Sequence, residues 1–380
     1  MKQIGTGIVI LFVLISLGIV GLGYLQQNQP EPQATPLELT LTVNPMAQDW
    51  MVDAVALFNT SEARFVDDVV ITIALNPTPI EDITVWSGNT WNNQNRPDLW
   101  LASTAFSIEH ANAFNMTFNS VNTPLAQTPL VWVTSADVAD AITQDGMLLL
   151  DWDAVQQAAN AGTWANFGAT NLQGNVNMAF SLPDSTIEGL MVLYSASAYY
   201  SRNLDFSNLL SPSSDFKTWF APIVDSVPNF YTIGADVATF MVSRGASVNI
   251  GIMPEVKLLN QIDAFTRNRT IRVSYPEYPV VFDFSLAIAI DQNLSFDDNN
   301  TRQQAIQAFV DWLLAPEQQS QLPRYGLRPI ATSPTPNDEL FRKGTDVGVQ
   351  YDPIISPYLT GEESAYSRNL MSWFTQERTR

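Results

Sequence analysis

The chain has 380 residues and 46% hydrophobic content, enough for a sizeable core and for more than one globular unit. Its 18 Lys and Arg against 38 Asp and Glu leave a net charge of −20, which argues against nucleic acid, because phosphate binding needs clustered cations. Cysteine is absent and His110 is the single histidine, so disulfides, thiolate chemistry, a lipobox anchor and multi-histidine metal sites are excluded, and His110 itself reads most simply as structural.

Residues 4–25 are uncharged and contain ILFVLISLGIVGLGYL behind a single Lys2. At about 1.5 Å of rise per residue this run crosses the ~30 Å hydrocarbon core of a bilayer. It ends in Tyr24, Leu25, Gln26 and Gln27 and not in a small-x-small cleavage site. The sequence therefore predicts an uncleaved, single-pass anchor in the cell membrane, Lys2 inside and the rest extracytoplasmic. The proline-rich QQNQPEPQATP of 26–36 predicts a disordered stalk.

LELTLTV at 37–43 alternates as a strand, and Asn44-Pro45 then supplies a cap and a first-turn proline for an apolar-faced helix to about Phe58. Strands are predicted again at 69–75 and 98–102. Strand, helix, strand implies a right-handed crossover and a parallel sheet, with ligands gathering at the carboxyl ends of its strands. That placement singles out Asn44, Asn76, Ser103 and Thr104, although short polar residues there also cap helices and make turns. TPLAQTPLVWV at 123–133 reads as a crossing into a second lobe, and VVFDFSLAIAI at 280–290 as one long strand back to the first. VNIGIM at 248–253 predicts a short buried strand that ends at Glu255, another crevice position. Thr301 and Gln304 suggest a capping box ahead of an amphipathic helix, and a last helix is expected at 364–375.

Between the crossings, PDSTIEGLMVLYSASAYY at 183–200 is apolar on nearly every face of a helix, so it belongs inside a core. Ser185 and Glu188 are spaced as a capping box, with Thr186 between them. The free N–H groups of such a helix start suit polar or negative ligand atoms, though a capped core helix needs no ligand. Tyr231 opens a further helical stretch to about 243.

The run FVDWLLAPEQQSQLPRYGLRP at 309–329 resembles the closing signature of bacterial extracellular solute-binding proteins, a helix ending near PEQQ followed by a glycine-hydrophobic-Arg-Pro turn. Residues 183–200 resemble the P-x-x-S-N-S-G helix start of that family, and MVSRGASVNIGIMPE at 241–255 resembles its M-x-x-x-G-x-S segment leading to a strand and glutamate. The blocks fall in family order, and the resemblance is to the molybdate/sulfate-like, type II periplasmic-binding-protein group over roughly 37–374. It implies an α/β, two-lobed Venus-flytrap fold behind the N-terminal transmembrane helix. Residues 37–128 would begin lobe 1, 129–281 would form lobe 2, and 282–380 would complete lobe 1 and supply a tail. The helix-start serine of the family matches Thr186 and its glutamate matches Glu255. Its asparagine and second serine are Ile187 and Glu188 here, and its Gly-Ser turn is Asn76-Pro77-Thr78, so no oxyanion specificity is carried over.

The resulting expectation is a membrane-anchored extracytoplasmic protein that captures a small polar solute between two lobes for an ABC permease, with no catalysis and no cofactor. Ligand that contacts both lobes only when they close would shift the open-closed population. The expected contacts are Asn44, Asn76, Ser103 and Thr104 from one lobe and Thr186, Glu188, Tyr231 and Glu255 from the other. Three solute chemistries stay open: a sugar stacked on tryptophan, a cation held by Glu188 and Glu255, and an oxyanion on helix N–H groups. The alternative function is an anchored sensor or assembly module of the same fold that binds a partner protein, since fold alone does not separate transport from sensing. No carboxylate spacing singles out a glycosidase-like pair.

Overall fold

The computed structural model describes residues 34–379 except 87–89, 115, 145–149, 244–246, 269, 292, 357 and 360–363. The predicted membrane anchor at 4–25 and the stalk up to residue 33 lie outside the described residues, and within those described no helix is long and apolar enough to cross a membrane. In chain order the strands are β1 (Thr35–Val43), β2 (Phe65–Val66), β3 (Val69–Leu75), β4 (Leu99–Ala102), β5 (Phe118–Ser120), β6 (Thr128–Ser135), β7 (Met178–Ala179), β8 (Ile250–Pro254), β9 (Ile271–Ser274), β10 (Val281–Phe282) and β11 (Ser285–Ala289).

Among the described residues these strands make two sheets, one ordered β2-β3-β1-β4-β11-β5 and one ordered β10-β6-β8-β7 with β9 also on β6. In the first, β1 runs parallel to β3 and to β4, placing Leu41 opposite both Leu75 and Leu99. This is the predicted crossover arrangement, and it explains the apolar strands: Leu39, Leu41 and Val43 are buried, as are Trp50, Met51 and Phe58 of the helix Gln48–Phe58. β1 begins two residues inside the expected stalk, because Thr35 N–H is already bonded to Asp68 O at 2.6 Å.

The expected long strand at 280–290 is two short ones in different sheets. β10 pairs with β6 and β11 pairs with β4 and β5. The change of sheet falls at Asp283, whose Oδ1 accepts the Ala105 N–H at 2.9 Å. Three passes of chain are laced together there: Leu125 N–H donates to Phe284 O at 3.0 Å, Leu130 N–H to Val280 O at 2.9 Å, and Gln127 and Arg328 exchange backbone bonds of 3.0 and 2.8 Å.

The helix Ile187–Ser201 is buried on all faces from Ile187 to Tyr199, as its composition predicts. Its cap, however, is Thr186, whose Oγ1 accepts the Gly189 N–H at 3.1 Å, while Ser185 bonds to Asp184. The expected box of Ser185 and Glu188 does not form, because Thr186 N–H and Oγ1 both bond to Leu182 O and hold the preceding turn one residue further on. Gly189 allows that turn to press on the helix, since a Cβ there would stand 2.2 Å from Ser181 O. Likewise the helix Phe296–Leu314 starts before the expected Thr301 box. Ser295 caps it on Asp298 N–H at 3.1 Å, and Thr301 lies in its interior.

Beyond Arg328 the chain lies against the second sheet and its helices. Val273 N–H of β9 donates to Val347 O at 2.7 Å. The last helix, Ser364–Glu377, joins the helix Ile187–Ser201 through Tyr366 and Ser197 hydroxyls at 2.5 Å and Ser367 and Tyr194 hydroxyls at 2.8 Å.

Candidate functional site

A cavity of about 390 Å³ opens between the two sheets. One wall comes from the first sheet's side, with Pro45, Met46, Asp49 and Trp50 after β1 and Glu81 after β3, and the other from the second sheet's side, with Asp236 and, just after β8, Val256 and Lys257.

The first wall is organised by a buried carboxyl. Asp82 accepts from Asn44 Nδ2 at 2.9 Å and from Ser103 N–H and Oγ at 3.0 and 2.7 Å, which ties the ends of β1 and β4 to the residue beside Glu81. Burial pushes the Asp82 carboxyl up, and the hydrogen bonds from Ser107, Ser103 and Asn44 pull against it. Thr104 caps the helix Ala105–Ala113 through Ser107 N–H at 3.2 Å. Both polar atoms of the Asn44 side chain are engaged, because its Oδ1 also accepts the Met46 N–H at 3.0 Å.

On the opposite wall Glu188, whose side chain is 3% exposed, pairs with Lys257 at 2.5 Å. Lys257 also donates to Ala235 O at 2.8 Å, and Ser181 Oγ reaches Glu188 Oε2 at 3.3 Å. Burial alone would lower Lys257, but Glu188, Asp236 and Glu81 around it raise it overall, so it stays charged. Burial pushes the Glu188 carboxyl up, with Lys257 pulling the other way.

Glu81 joins the two walls electrically. Its carboxyl is pushed up to about 8, first by burial and then by Glu188 and Asp82, with Lys257 opposing them. Its Oε2 is buried without a hydrogen-bond partner among the described residues.

None of the eight residues expected from the sequence is itself among the cavity's lining. Asn44 and Ser103 hold Asp82 behind Glu81, Glu188 holds Lys257, and Thr186 caps the helix that carries Glu188. Glu255 is elsewhere engaged. Its Oε2 and Oε1 accept from Arg328 Nε at 2.6 Å and Nη2 at 2.9 Å, Tyr275 OH donates to Oε1 at 2.5 Å, and Arg328 also donates to Gln350 O and Tyr351 O. Asn76 is exposed and closes a turn on Thr78 N–H at 3.1 Å. Tyr231 lines a separate cavity of about 350 Å³, 77% exposed, with the Arg378 guanidinium 5.2 Å from its ring centroid. Sequence reasoning missed Glu81, Asp236 and Lys257. A signal existed for Lys257, a scarce cation in an acidic chain two residues past the predicted strand-end glutamate.

No family model matches the chain, and no curated protein matches it. Solved structures do. A periplasmic thiamin binding protein aligns with a TM-score of 0.58 at 11% identity over 90% of this chain and 96% of that one. A cyclic alpha-maltosyl-1,6-maltose binding protein from Arthrobacter globiformis gives 0.58 at 12% identity over 90% and 94%, and an ABC transporter structure from Clostridium perfringens gives 0.56 at 10% over 90% and 98%. At these identities the likeness establishes the fold, which is that of periplasmic solute-binding proteins.

Proposed function

We propose that this chain is an extracytoplasmic solute-binding protein, held to the membrane by the apolar segment 4–25, that captures a small polar solute between two lobes and passes it to an ABC-type importer. The observation that carries this reading is the cavity walled from both sheets, because a ligand there touches both sides only when they are close and so favours closure by its difference in affinity. The laced passes near residues 127, 283 and 328 are where such a motion would turn. The molybdate/sulfate-like subgroup suggested by the motif order is not part of the proposal, since Asp49 and Asp236 on the walls would repel an oxyanion and Lys257 there is already paired with Glu188.

A thermal-shift screen of the full-length chain in detergent against oxyanions, divalent metals, sugars, amino acids and amines tests the proposal. A ligand at a hundred times its dissociation constant adds about 2.7 kcal/mol, worth about 5 °C or more in midpoint for a chain of this kind. Response to one class, together with co-purification of a permease from native membranes, is the expected result. Folded, ligand-free protein that answers to none of them, and that brings down a receptor and no permease, would point to the partner-binding module instead.

A further inference from the structure

The charges on the cavity walls do not balance. Asp49, Glu81 and Asp236 line it against Lys257, and none of the three forms an ion pair among the described residues. Among the described residues Lys257 is the one cation of the lining, and the Glu188 carboxylate behind it at 2.5 Å already neutralises it. Asp49 and Asp236 are exposed at the mouth, whereas Glu81 sits deeper with Oε2 buried and unpartnered. A desolvated carboxyl oxygen without a donor is costly, and a ligand that brings its own donor and positive charge removes that cost. The partly exposed apolar and aromatic lining, Met46 and Tyr325, offers a surface for a carbon skeleton, and an aromatic ring attracts cations. Among the described residues no group of three or more His, Cys, Asp or Glu is arranged to hold a metal ion, and the deep Glu81 offers a single unpartnered oxygen to an N–H donor.

Resting on the solute-binding reading above, we infer that the solute is an organic cation, an amine whose ammonium group is taken by Glu81 and whose carbon body lies on Met46 and Tyr325. Glu188, Asp82 and Lys257 are the charged groups that act on Glu81: burial, Glu188 and Asp82 push it up against the pull of Lys257, so in this structure it stays protonated to about pH 8. Binding an ammonium ion then releases that proton, so affinity strengthens as pH rises from 6 to 8, by up to about tenfold per unit, while a simple alkylamine stays charged throughout.

The test is calorimetric titration of the full-length chain in detergent with phenethylamine and putrescine, beside phenethyl alcohol, phenylacetate, maltose and molybdate. Amine binding at least tenfold tighter than the neutral and anionic analogues, strengthening toward pH 8, is expected, and Glu81→Gln should weaken it at least tenfold and flatten its pH dependence. Maltose or molybdate binding without amine binding would preserve the solute-binding reading and overturn the cation. Amine binding that is flat in pH and unchanged in Glu81→Gln would overturn the role of Glu81, and silence toward every probe would count against both readings. Should Glu81→Gln fail to fold, the pH profile of the unaltered chain decides alone.

Discussion

Arg328→Met is the substitution whose cost follows most directly from the geometry. The guanidinium, 5% exposed, makes two bonds to Glu255, which is fully buried, and two more to the carbonyls of Gln350 and Tyr351, at 2.7 and 2.9 Å. It also lies 4.9 Å from the Phe341 ring centroid. Methionine keeps much of the volume but leaves the carboxylate with the Tyr275 hydroxyl as its remaining side-chain donor among the described residues. Removing one partner of a buried pair costs about 3–5 kcal/mol. At roughly 2 °C per kcal/mol, suited to a large chain, the midpoint falls by about 6–10 °C. Urea unfolding followed by the fluorescence of the ten tryptophans supplies the measurement. Arg328→Met/Glu255→Met should be more stable than Arg328→Met alone, because the unpaired carboxylate is gone. A single-variant loss below about 1 kcal/mol, or a double variant equal to the sum of the singles, would show that this pair is not holding the junction.

Three further outcomes are expected. Gly189→Ala should destabilise by about 1–3 kcal/mol in chemical denaturation, although helix propensity alone would favour alanine by roughly 1 kcal/mol, because the new Cβ meets Ser181 O at 2.2 Å. Burial in the cage of Trp86, Phe106 and Phe114, helped by Arg368, holds His110 down to about 4. The unfolded chain therefore binds the extra proton first, stability falls as pH drops from about 6.5 toward 4, and the difference between wild type and His110→Phe should vary over that window and level off above it. Lys257→Met should destabilise by about 3 kcal/mol near neutral pH, since Glu188 is left buried and alone, and should recover on acidification as Glu188 takes a proton. Equal losses at pH 5 and pH 8 would contradict that account.

Periodicity made the framework of this fold legible. β1, β3 and β4 and the buried helix Ile187–Ser201 stand within a residue or two of where alternation and apolar faces put them. The sheet change at Asp283 was not legible, because VVFDFSLAIAI is one continuous apolar run and only the neighbours of each half decide which sheet it joins. Caps failed for a related reason. Ser185, Thr186 and the Thr301 box all satisfy the local rule, and the contact of Ser181 O with the Gly189 turn, or the earlier Ser295 and Asp298 pair, selects among them. Glu255 was rightly placed at a strand end, yet its partner is Arg328, far along the sequence, and no local pattern reports such a pairing. Glu81 escaped notice because its chemistry comes from burial and from Glu188 across the cavity, which are properties of the assembled walls.

The two cations that meet crevice carboxylates act differently, and the difference predicts how the empty protein behaves. Arg328 spreads a rigid fork over Glu255 and two carbonyls and fixes the junction, whereas Lys257 is a point charge that satisfies Glu188 and leaves Glu81 opposite without a counterion. In this arrangement of the walls, burial and the facing Glu188 both disfavour the ionised form of Glu81. Walls that stand apart relieve both effects and let Glu81 ionise at lower pH, so closure takes up a proton, and each pH unit up to about 8 adds about 1.4 kcal/mol against the closed state, levelling off above it. The absence of cysteine permits clean spin labelling at Leu57→Cys and Leu210→Cys, exposed positions on the first and second sheets' sides. The mean distance between those labels in ligand-free protein should lengthen from pH 6 to pH 8 and level off above that, shorten again when an amine is added, and show neither change in Glu81→Gln. A distance that ignores pH in the unaltered chain would mean that Glu81 does not govern closure, whatever the cavity binds.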